Sequence, residues 1–222
     1  MAVPQVIRGW RKQALDHRDQ KLTAYPIDPS KPIDLRPHFQ AVYDQGQVGS
    51  CVANATAGAF EYVRRSQSLP DWVPSRLFIY YQTRLLEGVS PMSDSGSECR
   101  DAVKVVATIG VPPEGLWPYE EAQVNTAPPN SAFENARHNL AIQYNAVPQK
   151  LEHILSCLTH NGPIIWGGSV FPAIQSEEVA RTGIVPMPAP DEQPIGGHST
   201  LVVGWKPDTD RKSTRLNSSH GY

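Results

Sequence analysis

The chain has 222 residues, 40% hydrophobic and 19% charged, with a formal net charge of −2. That is length enough to bury one sizeable core, and the near-neutral balance gives no electrostatic reason to expect nucleic acid or an anionic membrane as partner. No apolar run approaches the roughly 20 residues of a membrane-spanning helix. The opening stretch MAVPQVIRGWRKQALDHRDQ lacks the unbroken apolar core of a secretory signal, so cytoplasmic residence is the expectation.

Residues 1–33 are polar and proline-rich without sustained periodicity, and read as an extension wrapping the domain. The ordered part starts at IDLRPHF. Ser50 then offers an N-cap for a helix in which Val52, Ala55, Ala59 and Tyr62 recur at helical spacing. Its many alanines and glycines imply close packing on several sides. PSRLFIYYQTRLLEG reads as a second helix, with Ser75 near its start and Gly88 past its end. A third runs through ECRDAVKVVATIG and closes at Gly110. VPPEGLWPYEE is a proline-punctuated turn region, with Trp117-Pro118-Tyr119 read as packing. Beyond residue 140 comes one more helix, PQKLEHILSCLTHNG. PIIWGGSVF and HSTLVVGW follow as apolar runs of strand length. Helices first and strands later predict an α+β protein of two lobes, helical over about 34–140 and β over about 141–209.

The chain has three cysteines, Cys51, Cys99 and Cys157, and no C-x-x-C pair, which argues against a disulfide scaffold or a zinc ribbon. No metal or cofactor is expected. A cysteine becomes a good nucleophile only as its thiolate, which a helix N-terminus or a neighbouring imidazolium favours. Cys51 has the helix start, reached through YDQGQVGS, where glycines and Ser50 turn the chain sharply and leave an exposed thiol. Among seven histidines, His198 alone follows a Gly196-Gly197 pair and begins an apolar strand, so it is the candidate base. Cys157, on an amphipathic helix, is read as structural.

YDQGQVGSCVANA and GGHSTLVVGW together resemble the papain-like cysteine peptidases in their bacterial and viral form. DSGSECRDAVKVVATIGVPPEGLWPY and GIVPMP extend the resemblance over most of residues 34–206. It implies a papain-like two-lobe fold, a peptide or protein substrate, and hydrolysis through a thioester acyl-enzyme. In that scheme Cys51 attacks the scissile carbonyl and His198 pairs with it as imidazolium. The Gln45 side chain and the Cys51 N–H would hold the oxyanion. Gly96 would pair its backbone with an extended substrate. Glu98 and Cys99 would sit near the pocket reading the residue second from the cut, where Glu98 would favour a basic side chain. Many secreted members carry a disulfide at the positions of Val48 and Asp94, and its absence suits a reducing compartment. The 33-residue extension is too short for the long helical propeptide of those enzymes, yet could obstruct the cleft.

The resemblance also implies an asparagine in an Asn-Ser-Trp-Gly motif past the histidine, orienting the imidazole. DRKSTRLNSSHGY does not supply it: Asn217-Ser218 lacks the Trp-Gly, and the segment is polar where a strand should run. DRKSTRLNSSH looks instead like a translated sequencing-library adapter. Residues 210–222 are therefore expected to be foreign, the native chain to continue beyond about Thr209, and the polypeptide as written to fold poorly. Two other readings compete with the peptidase: a papain-fold peptide-binding protein without catalysis, and an acyl-transferase or ligase using the same Cys–His pair.

Overall fold

A computed structural model of the chain describes residues 9–90 and 92–207, and the backbone of a strand at 215–218. Residues 1–8 of the extension, and the rest of the 210–222 segment expected to be foreign, lie outside the described residues. In chain order the elements are β1 (Ile33–Asp34), α1 (Cys51–Ser66), α2 (Arg76–Leu86), α3 (Cys99–Thr108), α4 (Asn130–Ala136), α5 (Leu151–His160), β2 (Ile164–Val170), α6 (Glu177–Thr182), β3 (Gly196–Lys206) and β4 (Arg215–Ser218).

Helix α1 divides the molecule because its small residues let neighbours approach from two sides. Val52, Ala53, Ala57 and Phe60 join Ile79, Tyr80, Val106 and Val111 in one apolar cluster with α2 and α3. On the other side Ala59 and Tyr62 pack against a second cluster of Leu155, Leu158, Leu201, Val203 and Trp205, contributed by α5 and β3. A Cβ on Gly58 would come within 3.1 Å of Leu201 Cδ2, so the glycine sets the helix-to-strand distance. Burying this apolar surface on both sides fixes α1 between the lobes.

The helices expected from periodicity are present, with two differences. Ser75 caps α2 as expected, its hydroxyl accepting from Phe78 N–H at 3.3 Å. Ser50 precedes α1 but makes no side-chain cap; its hydroxyl is taken by Tyr119 and Asn54 instead. α4 and α6 were not legible in the sequence, because at seven and six residues they are too short to show a period.

The sheet is built on β3, eleven residues of which eight are buried. β2 pairs with it antiparallel from Ile164 opposite Val202 to Val170 opposite Gly196. β1 pairs with its far end at Gly204 and Trp205. β4 also pairs there, with Asn217 opposite Gly204. The polar segment thus does run as a short strand, since any backbone can fill an unpaired edge. Among the described residues no helix is long and apolar enough to cross a membrane.

Candidate active site

Cys51 is the first residue of α1 and His198 the third of β3, and the two elements meet at the thiol. The backbone N–H of Ser199, next to His198, donates to Cys51 Sγ at 3.3 Å. Ser199 Oγ in turn lies 3.7 Å from Cys99 Sγ and donates to the Trp166 carbonyl. The structure therefore brings Cys51 and Cys99 to one residue, Ser199, the chain neighbour of His198, which sequence reasoning passed over.

The loop before Cys51 is set by polar contacts to three elements. Tyr119 shares a 2.6 Å hydrogen bond with Ser50 and donates to the Gln45 carbonyl. Asn54, one turn into α1, donates to both oxygens of Ser50. Arg76 donates to Asn54 and to the Asp44 carbonyl while forming a two-pronged pair with Glu114, and its guanidinium stacks 3.9 Å from the Tyr119 ring. Tyr119 was read from sequence as packing; it is also the residue that fixes where Gln45 sits. The Gln45 amide nitrogen donates to the Val48 carbonyl at 2.9 Å. It lies on the nucleophile's own loop, committed to that carbonyl rather than aimed outward.

The expected disulfide positions are bridged differently. Val48 is core, and the Asp94 carboxylate accepts the Gly49 N–H with both oxygens, at 3.0 and 2.9 Å. Tyr80 donates to the same carboxylate and accepts from Gly96 N–H.

That last bond corrects the expectation for Gly96. Its N–H is used by Tyr80, and the backbone groups facing the cleft belong to the next residue, Ser97. Ser97 N–H donates to the Gly9 carbonyl at 2.8 Å and its carbonyl accepts from Arg11 N–H at 3.0 Å. Gly96 is still required: at φ +71° it bears no Cβ, and one would fall 2.6 Å from the Gly9 carbonyl oxygen. Glu98 stands half-buried before α3, its N–H bound to Glu87.

The cleft is occupied by the chain's own extension. Gly9 lies on the nucleophile so closely that a Cβ there would be 2.6 Å from Cys51 Sγ. Trp10 N–H donates to the Gly197 carbonyl at 3.3 Å, and Trp10 and Ser97 pair in parallel. Farther along, Arg11 pairs with Glu87, and Arg100 grips Asp19 with two nitrogens while also binding the Ala14 carbonyl.

Cys51 is consequently buried, not exposed as the sequence suggested. Burial pushes its thiol up to about 12; the N–H groups of Ser199, Val52 and Cys51 itself pull the other way but are outweighed. Burial likewise takes the His198 imidazole down to about 4. Burial thus disfavours the charged form of both side chains in the closed protein.

Comparison with known proteins agrees with this geometry. The chain is similar to xylellain, a cysteine protease from Xylella fastidiosa: 31% identity, TM-score 0.85, covering 100% of this chain and 87% of that one. A peptidase C1-like protein of Acanthamoeba polyphaga mimivirus, itself uncharacterized, is 37% identical over 187 residues. That match covers 78% of this chain and spans 60% of the viral protein. Digestive procathepsin L 3 of Tenebrio molitor shares the fold at TM-score 0.68 with 18% identity. No protein-family profile matches the chain. A cysteine at the start of the inter-lobe helix, the histidine's strand bonded to its sulfur, and this level of identity across nearly a whole solved protease place the chain in the papain-like cysteine peptidase family.

Proposed function

We propose that the chain is a cysteine peptidase whose extension holds it latent. The observation that carries the reading is the hydrogen bond from Ser199 N–H to Cys51 Sγ, which sets the strand of His198 against a thiol at a helix N-terminus. With the extension lifted, water and substrate enter, the pKa of the Cys51 thiol falls, that of the His198 imidazole rises, and the thiol proton passes to His198. The thiolate then adds to the scissile carbonyl carbon, its oxygen becoming an oxyanion. Gln45, once released from the Val48 carbonyl, and the Cys51 N–H are the donors for that charge. One such donor is worth about 3 kcal/mol in other hydrolases. Protonated His198 gives its proton to the leaving amine, and water then hydrolyses the thioester.

The test is alkylation with a peptidyl epoxide, located by peptide mapping. One label is expected, on Cys51, and Cys51→Ala loses both label and turnover. Labelling on Cys99 instead would overturn the assignment.

A further inference from the structure

Both candidate oxyanion donors are tied to one buried cation. Arg76 Nη1 donates at 2.8 Å to the Asp44 carbonyl, which belongs to the peptide group entering Gln45. The same nitrogen donates to Asn54 Oδ1 at 3.0 Å. From there a chain of hydrogen bonds runs in one direction. Asn54 Nδ2 donates to Ser50 Oγ at 2.9 Å, and Tyr119 donates its one hydroxyl proton to the Gln45 carbonyl at 2.8 Å. In the 2.6 Å bond between the two hydroxyls Ser50 is therefore the donor. The peptide groups on both sides of Gln45 are thus bonded to one guanidinium, one directly and one through three side chains. Glu114 balances the charge with a two-pronged pair, and the Tyr119 ring lies 3.9 Å from the guanidinium.

A second branch reaches the other donor. Asn54 Nδ2 also donates at 3.0 Å to the Ser50 carbonyl, and that carbonyl belongs to the peptide that carries the Cys51 N–H. Arg76, Asn54 and Ser50 are all buried, and in such a setting each hydrogen bond polarises the next. Donation to the Ser50 carbonyl thus makes the Cys51 N–H behind it a stronger donor. For Gln45 the effect is positional. With both flanking peptides held, side-chain torsions alone are left to carry its amide from the Val48 carbonyl to the oxyanion. We propose that Arg76 is the positioning residue of the oxyanion site, setting both donors through Asn54, Ser50 and Tyr119 and acting on the developing charge rather than on the thiol. This rests on the peptidase reading above, in which Gln45 and the Cys51 N–H are those donors.

The experiment uses the whole chain carrying Gly9→Val and Trp10→Ala, the first adding a side chain where none fits over Cys51, the second removing the indole that anchors the extension. Two rates are read at Cys51. Acylation by a peptidyl p-nitrophenyl ester passes through an oxyanion and releases p-nitrophenolate; alkylation by iodoacetamide expels iodide and forms no oxyanion. Arg76→Lys keeps a charge for Glu114 but cannot also hold Asn54 and the Asp44 carbonyl. It should slow acylation about tenfold, less than the outright loss of one donor costs, and leave alkylation at the rate of the opened parent. Tyr119→Phe keeps the ring against the guanidinium, cuts the chain at its Gln45 end, and should slow acylation by a smaller factor. In a Gln45→Ala background Tyr119→Phe should add nothing, while Arg76→Lys should still slow acylation through the Cys51 N–H. If Arg76→Lys does not fold, the Tyr119–Gln45 cycle decides. Acylation and alkylation falling together, or neither falling, in variants that melt cooperatively would overturn the proposal. So would a Tyr119→Phe effect that persists in full without Gln45. An opened parent that iodoacetamide labels at Cys51 but the ester never acylates would overturn the peptidase reading, and this inference with it.

Discussion

Asp94, at a position where the family resemblance implies a disulfide, holds the nucleophile loop by hydrogen bonds instead. Its carboxylate joins the nucleophile loop at Gly49 to Tyr80 on α2, and Tyr80 carries the link on to Gly96 beside the cleft. Asp94→Ala leaves the Gly49 N–H and Tyr80 O–H without that acceptor. A loss of about 2 kcal/mol is expected, since an orphaned buried donor costs more than an average hydrogen bond contributes. Urea unfolding of the variant against the parent checks this, and an unchanged midpoint would mean that the bridge carries no stability. At this scale the sequence was legible where chemistry is local. Cys51 and His198 are marked by their own flanking residues. The roles of Ser97, Ser199 and Tyr119 depend on partners tens of residues away, and a serine or tyrosine in isolation carries no signal of them.

The extension behaves as a strap whose anchors are polar and whose tip is apolar. Trp10 packs into the domain, while Arg11–Glu87 and Arg100–Asp19 tie the following residues to α2 and α3. Leu22 donates to the Ala146 carbonyl, Tyr25 to Ser156, and the Trp205 indole to the Pro29 carbonyl, carrying the strap round to the β lobe. Arg100→Ala removes the two-pronged hold on Asp19 and the bond to Ala14, charge-assisted contacts worth about 1–2 kcal/mol together after solvent screening. Iodoacetamide labelling of Cys51 should then be roughly tenfold faster than in the parent, and the parent itself should gain on raising salt. Identical labelling kinetics would show that the tip alone holds the strap. The path of the described part of the extension, residues 9–33, was not readable from its composition. The two ion pairs join residues 76 and 81 apart in the chain, and no periodicity precedes such contacts. Helices α1, α2, α3 and α5 were readable because each shows an apolar face over ten residues or more, which the short α4 and α6 do not.

For the molecule as a whole, closure and protonation are one equilibrium. The imidazole of His198 sits at about 4 in the closed protein against about 6.5 when solvated, so between those values the unfolded chain binds the proton and the folded one does not. Its share of stability is complete above about pH 6.5 and is lost as pH falls towards 4, a difference of about 3 kcal/mol at its limit. Cys51 acts at the other end. Its pKa is raised from 9.0 to about 12, so its share is complete below about pH 9 and lost above it. Glu87, its carboxyl raised by burial, runs against His198 and gains only as pH falls through the carboxylate range. The closed protein should therefore be most stable between about pH 6.5 and 9. Urea unfolding of the parent and of His198→Gln across pH 4–7 isolates the histidine: the difference between them should shrink steadily on acidification. If the strap is what keeps water from the dyad, the Gly9→Val, Trp10→Ala protein should show much less of this loss, because its imidazole already titrates near the ordinary value. Parallel profiles for parent and His198→Gln would mean that the histidine is not desolvated. An undiminished loss in the strap variant would mean that the lobes, not the extension, exclude the water.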